Sequence, residues 1–166
     1  MAIVDALLPE FDREMTTTRT VLERVPEDKF DWKPHAKSFS LGALASHVAA
    51  LPDWGTETLT RTAFDVGGDQ RPPAAPASKQ ALLASFDRTA AAARAALAGK
   101  TDAELTAIWS LTRNGKTLFS MPRTTVLRSF VFSHLIHHRG QLTVYLRLLD
   151  VPVPSIYGPS ADEPAF

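Results

Sequence analysis

Three histidines have a spacing that would allow them to bind a metal ion together. His134 and His138 lie four positions apart in the run FSHLIHHRGQ, and His47 lies far upstream. Residues four apart on a helix share one face, so two imidazoles at this spacing can bind a single metal ion. A third imidazole would leave a coordination position free for water or a substrate, as in catalytic metal sites. The pattern predicts a metal site formed by His47, His134 and His138.

The helices that must position these histidines are predicted from apolar periodicity. On a regular helix from about residue 122 to 150, His134 and His138 fall in the middle of an apolar stripe that also contains Leu127, Val131, Tyr145 and Leu149. The opposite face, predicted to be solvated, carries Arg128, Ser129, Arg139, Thr143 and Arg147. On an earlier helix, Leu44, Leu51 and Trp54 surround His47 in the same way. We therefore expect all three histidines to point inward between two packed helices.

An inward imidazole needs a partner, because an unsatisfied buried polar group costs about 1–3 kcal/mol. A shared metal ion would satisfy all three, and the alternative is a set of core histidines hydrogen-bonded to backbone carbonyls. His137 lies at the edge of the stripe, where a structural role or support of a ligand is expected, and His35 lies in a predicted loop. The zinc-protease motif H-E-x-x-H is excluded, because Leu135 follows His134 where a glutamate would be required.

Four polar residues are further candidates near the site. Gln141 and Tyr145 follow the histidines on the same stripe and could orient a substrate or a water, although ordinary packing is an equal alternative. Asp162 and Glu163 lie in the C-terminal tail, which could carry them to the mouth of the site or leave them solvated.

The remaining signals predict an all-α, four-helix bundle. Helices are expected at about 3–25, 41 into the 60s, 78–97 and 122–150, and a short one at about 101–109. Ser38 or Ser40 caps the second helix, and Thr101 with Glu104 forms a capping box. Asn114-Gly115 indicates a small hairpin or an irregular crossover between the third and fourth long helices. The clearest linker contains Gly67, Gly68, Pro72, Pro73 and Pro76, and the last residues form an extended tail.

Composition narrows the function classes. With 166 residues the chain has the length of a single domain, 1–166. Eighteen basic residues balance 18 acidic ones, which argues against nucleic acid as a partner. No apolar run approaches the roughly 20 residues of a membrane-spanning helix, so a soluble, cytoplasmic protein is expected. The chain has no cysteine, so any metal ligands must be nitrogen or oxygen atoms.

Two segments of the chain resemble the DinB/YfiT-like superfamily: WKPHAKSFSLGALASHVAALPDW, and FSHLIHHRGQLTVYLRLLDVPVPSIYGPSADE. The resemblance covers nearly the whole chain. It implies a four-helix bundle and a three-histidine site for nickel, zinc or iron, whose ligands carry over to His47, His134 and His138. Some members are transferases or isomerases that use bacillithiol, mycothiol or a similar low-molecular-weight thiol.

The resemblance therefore implies a metal-dependent enzyme that acts on a small electrophile by thiol-dependent S-transfer or by hydrolysis. Its partners would be a small-molecule substrate and a thiol, and a homodimer is left open. The alternative is a non-catalytic bundle, stabilised by the metal, with a binding or stress-response role. A weaker alternative is a hydrogen-bonded histidine cluster that binds no metal.

Overall fold

Four long helical segments make up most of the computed structural model, which describes residues 2–67 and 73–164. They are α1 (Ile3–Glu23), α2 (Leu41–Thr60), α3 (Lys79–Leu97) and a fourth segment from Arg123 to Leu148. A short helix, α4 (Asp102–Thr106), and a 3-10 turn (Glu27–Lys29) lie between them. Helix α2 packs against α3 and the fourth segment, and α1 packs against the same two elements. Their apolar side chains form the main core.

Local signals position the helix starts as predicted. The Ser40 hydroxyl accepts a hydrogen bond from the Ala43 amide at 3.2 Å, so Ser40 is the cap of α2. At α4, Thr101 and Glu104 form the predicted capping box, in which each side chain accepts from the backbone amide of the other residue. These caps satisfy amides that have no partner within the helix.

A three-stranded sheet shows that the predicted all-α class is wrong, although the mostly helical architecture is confirmed. Its strands are β1 (Ala63–Asp65), β2 (Ile108–Arg113) and β3 (Lys116–Pro122), in that spatial order. Strand β1 runs parallel to β2, and β2 runs antiparallel to β3. Strand β1 has three residues and pairs with a segment distant in sequence, so local periodicity could not reveal it.

The hairpin between β2 and β3 confirms the turn signal at Asn114-Gly115. Both residues have positive φ, 51° and 75°, as a two-residue hairpin turn requires. The Asp65 carboxylate accepts hydrogen bonds from the Asn114 and Gly115 amides at 3.0 and 2.8 Å, which joins the turn to β1. The helix predicted to reach Trp109 ends instead at Thr106, and Trp109 is a buried residue of β2.

The fourth helical segment is not the uninterrupted α-helix that the periodicity predicted. It consists of α5 (Arg123–Val126), a π-helical segment (Leu127–Ser133) and α6 (His134–Leu148). Because the backbone bonds of a π-helix span five residues instead of four, this segment rotates α6 relative to a regular α-helix. The buried residues of α6 are Leu135, Arg139, Leu142 and Leu146. His134 and His138 thus lie beside the buried face, half-exposed, and the predicted exposure of Arg139 is wrong.

The linker and the tail have the irregular structure that their composition predicts. Gly67 has a φ of 65°, and residues 73–78 contain no helix or strand, while Gly68 and Pro72 lie outside the described residues. A Cβ atom at Gly42 would lie 2.8 Å from the Ala75 Cβ, so the glycine allows this segment to approach the start of α2. Residues 151–164 contain no helix or strand.

No helix within residues 2–67 and 73–164 has both the length and the apolar character needed to cross a membrane.

Candidate metal centre

Two packed helices bring the three predicted histidines together. His47 lies in the second turn of α2, and His134 is the first residue of α6, directly after the π-helical segment. His138 follows one turn later, on the face of α6 that meets α2. The side chains are half-buried, so they are shielded by the core without being sealed from solvent.

The ring geometry is that of a convergent cluster. The Nε2 atoms of His47 and His134 lie 3.4 Å apart. The ring centroid of His138 lies 4.5 Å from that of His47 and 4.7 Å from that of His134. One nitrogen from each residue can be chosen so that all three lie within 4.8 Å of one another. The cluster could therefore hold a metal ion.

The distance between the Nε2 atoms of His47 and His134 is suitable for binding one metal ion. Two ligand nitrogens at about 2.0–2.1 Å from a tetrahedral ion are roughly 3.3–3.4 Å apart. The spacing of 3.4 Å between His47 and His134 agrees with that value. The donor set is also suitable, because imidazole nitrogen binds zinc, nickel and iron, and it does not choose among them.

The electrostatics keep the imidazoles neutral, which is the form that binds metals. Burial, followed by repulsion from His138 and His134, lowers the pKa of His47 to about 4. Burial is also the main cause of the lowered pKa of both His134 and His138. At neutral pH all three rings therefore keep a nitrogen lone pair available.

Hydrogen bonds orient two of the rings. His138 Nδ1 lies 2.7 Å from the Gln141 Oε1 atom, which can only accept, so Nδ1 carries the proton and the lone pair is on Nε2. The His134 side chain forms a hydrogen bond with the backbone of Phe130, one turn earlier, within the π-helical segment. Such bonds to the second ring nitrogen are typical of metal-binding histidines, because they select the tautomer and hold the ring in place.

An open cavity of about 240 Å³ adjoins the cluster at His138. Its walls also include Phe39, Leu44, Gln141 and Tyr145. The Tyr145 hydroxyl donates to the Phe39 carbonyl at 3.4 Å, and its ring packs edge-on against Trp32. A small molecule can therefore approach His138 from solvent, between the start of α2 and the middle of α6.

The other predicted candidates are not members of the cluster, although His137 borders it. His137 is exposed, with its ring 4.8 Å from that of His138, and His35 is exposed in the loop before α2. The tail does not carry its acids to the site: Asp162 pairs with Arg147, and Glu163 pairs with Arg24 at 2.6 Å.

Sequence analysis missed a buried polar network on the other side of α6. Arg139 contacts Glu14 at 2.8 Å, and both side chains are almost fully buried. Arg139 also donates to the hydroxyls of Thr18 and Tyr157. A signal was present in α1, where Glu14 occupies a position within the apolar stripe of Leu7, Phe11, Thr18 and Val21. A charge at such a position requires a buried partner.

Comparison with known proteins agrees with this fold. The model of the DinB family matches residues 2–165. This chain belongs to the DinB family. A relative, the uncharacterized protein YrdA of Bacillus subtilis (strain 168), is 27% identical over 161 residues, which are 96% of this chain and 91% of YrdA.

Two crystal structures of DinB-like proteins have the same architecture. One, from Bacillus cereus ATCC 10987, has a TM-score of 0.72 and 25% identity, and the match covers 94% of this chain and 98% of that one. The other, YjoA from Bacillus subtilis, has a TM-score of 0.66 and 17% identity, and the match covers 89% and 96% of the two chains. YjoA supports the fold alone.

Proposed function

We propose that this DinB-family protein is a metal-dependent enzyme that acts on a small electrophile, by thiol-dependent S-transfer or by hydrolysis. The observation that carries the proposal is the convergence of three neutral, half-buried imidazoles beside an open cavity. A metal enclosed by protein ligands would serve structure alone, whereas a three-histidine site next to a cavity leaves room for a reacting molecule. We also infer that the four long helical segments form the four-helix bundle predicted from the sequence.

Different residues would bind the metal ion and orient the substrate. His47, His134 and His138 would hold a divalent ion such as zinc, nickel or iron, and Gln141 would keep Nε2 of His138 free for it. When bound, the metal supplies positive charge that lowers the pKa of a bound thiol or water and so yields a strong nucleophile. Phe39, Leu44 and Tyr145 would orient the electrophile in the cavity and limit the access of bulk water.

Neither the histidine cluster nor the described residues that line the adjoining cavity include a thiol or a carboxylate. The chain has no cysteine, and no carboxylate belongs to the histidine cluster in the described part of the chain. A low-molecular-weight thiol is therefore the proposed co-substrate for S-transfer. In that reaction a carbon–sulfur bond forms, the bond from carbon to the leaving group breaks, and the thiol proton passes to solvent.

The first experiment is elemental analysis of the purified, untagged protein beside a ligand variant and a control variant. His134→Ala/His138→Ala removes two proposed ligands, and His35→Ala, the control, removes an exposed histidine outside the cluster. We expect about one equivalent of a transition metal in the wild type and the control, and almost none in the ligand variant. Equal metal content in the two variants, or none in any protein after incubation with zinc or nickel, would refute the site.

Activity is then tested on the metal-loaded protein. Glutathione with 1-chloro-2,4-dinitrobenzene probes S-transfer, and 4-nitrophenyl acetate probes hydrolysis. We expect turnover that is lost in the ligand variant and kept in the control. Metal binding that raises the melting temperature without any turnover would favour the alternative, a non-catalytic bundle in which the ion ties α2 to α6.

A further inference from the structure

A second cavity lies next to the cavity at His138. It has a volume of about 500 Å³ and lies between the loop that precedes α2 and the segment that contains Pro73 and Ala75. Lys37, Ser38 and Phe39 line both cavities. The two cavities are therefore neighbours along the loop that precedes α2.

The second cavity is positively charged. Lys33 and Lys37 line it, against a single carboxylate among its lining residues, that of Asp31. Among the described residues, Lys29 and Lys100 form ion pairs, whereas Lys33 and Lys37 form none. Two cations without partners at the wall of a cavity are available to a ligand.

The N-terminus of α2 adds to the positive electrostatic potential in the second cavity. Ser40 and Ala43, from its first turn, line the second cavity. The Leu41 and Gly42 amides donate to the carbonyls of Trp32 and Phe30, so the helix contributes its dipole rather than free amides. A helix N-terminus favours a nearby negative charge.

A third cavity, also along α2, is negatively charged. It is lined by Trp54 and Phe64 together with the carboxylates of Asp53, Glu57 and Asp65. An anion would be repelled there, whereas the cavity that joins the histidine cluster would attract it. Of these two cavities along α2, the charge distribution therefore favours the one lined by Lys33 and Lys37 for an anionic molecule.

We propose that Lys33 and Lys37 bind the anionic group, a carboxylate or a phosphate, of an elongated small molecule whose other end reaches the histidine cluster. This assignment rests on the proposed function, because it names the substrate class of that site. Lys37 lines both cavities and Lys33 lines only the second, so the anionic group would lie in the second cavity, within reach of both lysines.

The first test measures anion binding without catalysis. Succinate and inorganic phosphate are titrated into the metal-loaded protein, and backbone amide shifts are followed by NMR. We expect saturable shifts at residues 33 and 37–40, weakening as salt is added. In Lys33→Gln/Lys37→Gln, affinity should fall about tenfold, since two exposed charge contacts together have roughly this effect. Lys100→Gln/Lys116→Gln removes the same net charge elsewhere and should bind as the wild type does.

The histidine variant separates this proposal from the proposed function. His134→Ala/His138→Ala should still bind succinate or phosphate at the lysines, even without metal. Loss of anion binding in that variant would mean that the anion binds the metal directly and would overturn the assignment. Equal affinities in the two lysine variants, or no saturable shifts, would overturn it as well.

A kinetic test applies where turnover is found. Mercaptosuccinate carries two carboxylates and 2-mercaptoethanol carries none. In Lys33→Gln/Lys37→Gln, the KM for mercaptosuccinate should rise about tenfold with kcat unchanged, while both constants for 2-mercaptoethanol stay the same. An equal change for both thiols would show that the lysines do not recognise the carboxylates.

Discussion

Glu14 of α1 and Arg139 of α6 form a buried ion pair, 2.8 Å between Oε2 and Nη2, with side chains only 3% and 1% exposed. The Tyr157 hydroxyl of the tail donates to Glu14 at 2.9 Å and accepts from Arg139 at 2.6 Å. Arg139 directly follows His138, so the pair holds α6 in the rotation that turns His134 and His138 toward His47. One side of α6 is thus held by charge, while the neighbouring side carries the candidate metal ligands.

Glu14→Gln tests the strength of this pair. The substitution keeps the shape of the side chain and leaves the Arg139 guanidinium buried without a counter-charge. Loss of one partner of a buried pair lowers the free energy of unfolding by about 3–5 kcal/mol. Urea denaturation measures the change, and Glu10→Gln, which breaks the partly exposed pair with Arg128, should cost at most about 1 kcal/mol. Equal losses in the two variants would contradict the buried role of Glu14.

The pH dependence of the metal-free protein follows from His47. Its pKa in the folded protein is about 4, below the ordinary 6.5, so between these values the unfolded chain binds a proton that the folded chain does not. The free energy of unfolding should therefore decrease as pH falls from about 6.5 to about 4, and this contribution is fully retained above 6.5. His134 and His138, whose pKa values are also lowered, act in the same direction.

Urea denaturation at several pH values in this window measures the effect, with a chelator present. His47→Gln has no titrating group at this position, so its stability should depend less steeply on pH. The same slope in both proteins would show that the lowered pKa of His47 does not contribute.

Gln141 should act on metal affinity rather than on stability. In Gln141→Leu, His138 loses the acceptor for its Nδ1 proton and can adopt the tautomer that places the proton on Nε2. Metal affinity should fall by about 10–100-fold, the usual effect of losing such a partner. Competition with a chromogenic chelator measures this, and melting temperature should change little because residue 141 is exposed. Gln141→Glu keeps an acceptor and should retain affinity, so a comparable loss in both variants would argue against this role.

Asp65 should stabilise the hairpin turn without affecting the metal centre. Hydrogen bonds from the amides of Gly115 and Gly67 are the main cause of its pKa of about 2. In Asp65→Ala these amides lose their acceptor, so hydrogen exchange at Asn114 and Gly115 should accelerate while metal content stays the same. In the wild type, the contribution of Asp65 should be present above its ordinary pKa of 3.8 and lost as pH falls through 2. Asp53→Ala is the matched control and should leave exchange in the turn unchanged.

Features that depend only on residues close together in the chain could be predicted from the sequence. The spacing of His134 and His138, the caps at Ser40 and Thr101, and the turn at Asn114-Gly115 are all local, so periodicity and turn chemistry were sufficient to predict them. The structure brings His47 close to His134 and His138, in agreement with the expectation that all three lie between two packed helices, and their use as metal ligands stays a prediction.

The rotation of α6, the pairing of β1 and the course of the tail could not be predicted from the sequence and depend on the folded structure. A regular helix predicts that Arg139 is exposed, whereas the π-helical segment turns it inward and Glu14, 125 residues away in sequence, supplies its counter-charge. Likewise, β1 is held by β2, and the tail is anchored through Tyr157. These outcomes depend on contacts between residues distant in the chain, which local hydrogen bonding and periodicity do not encode.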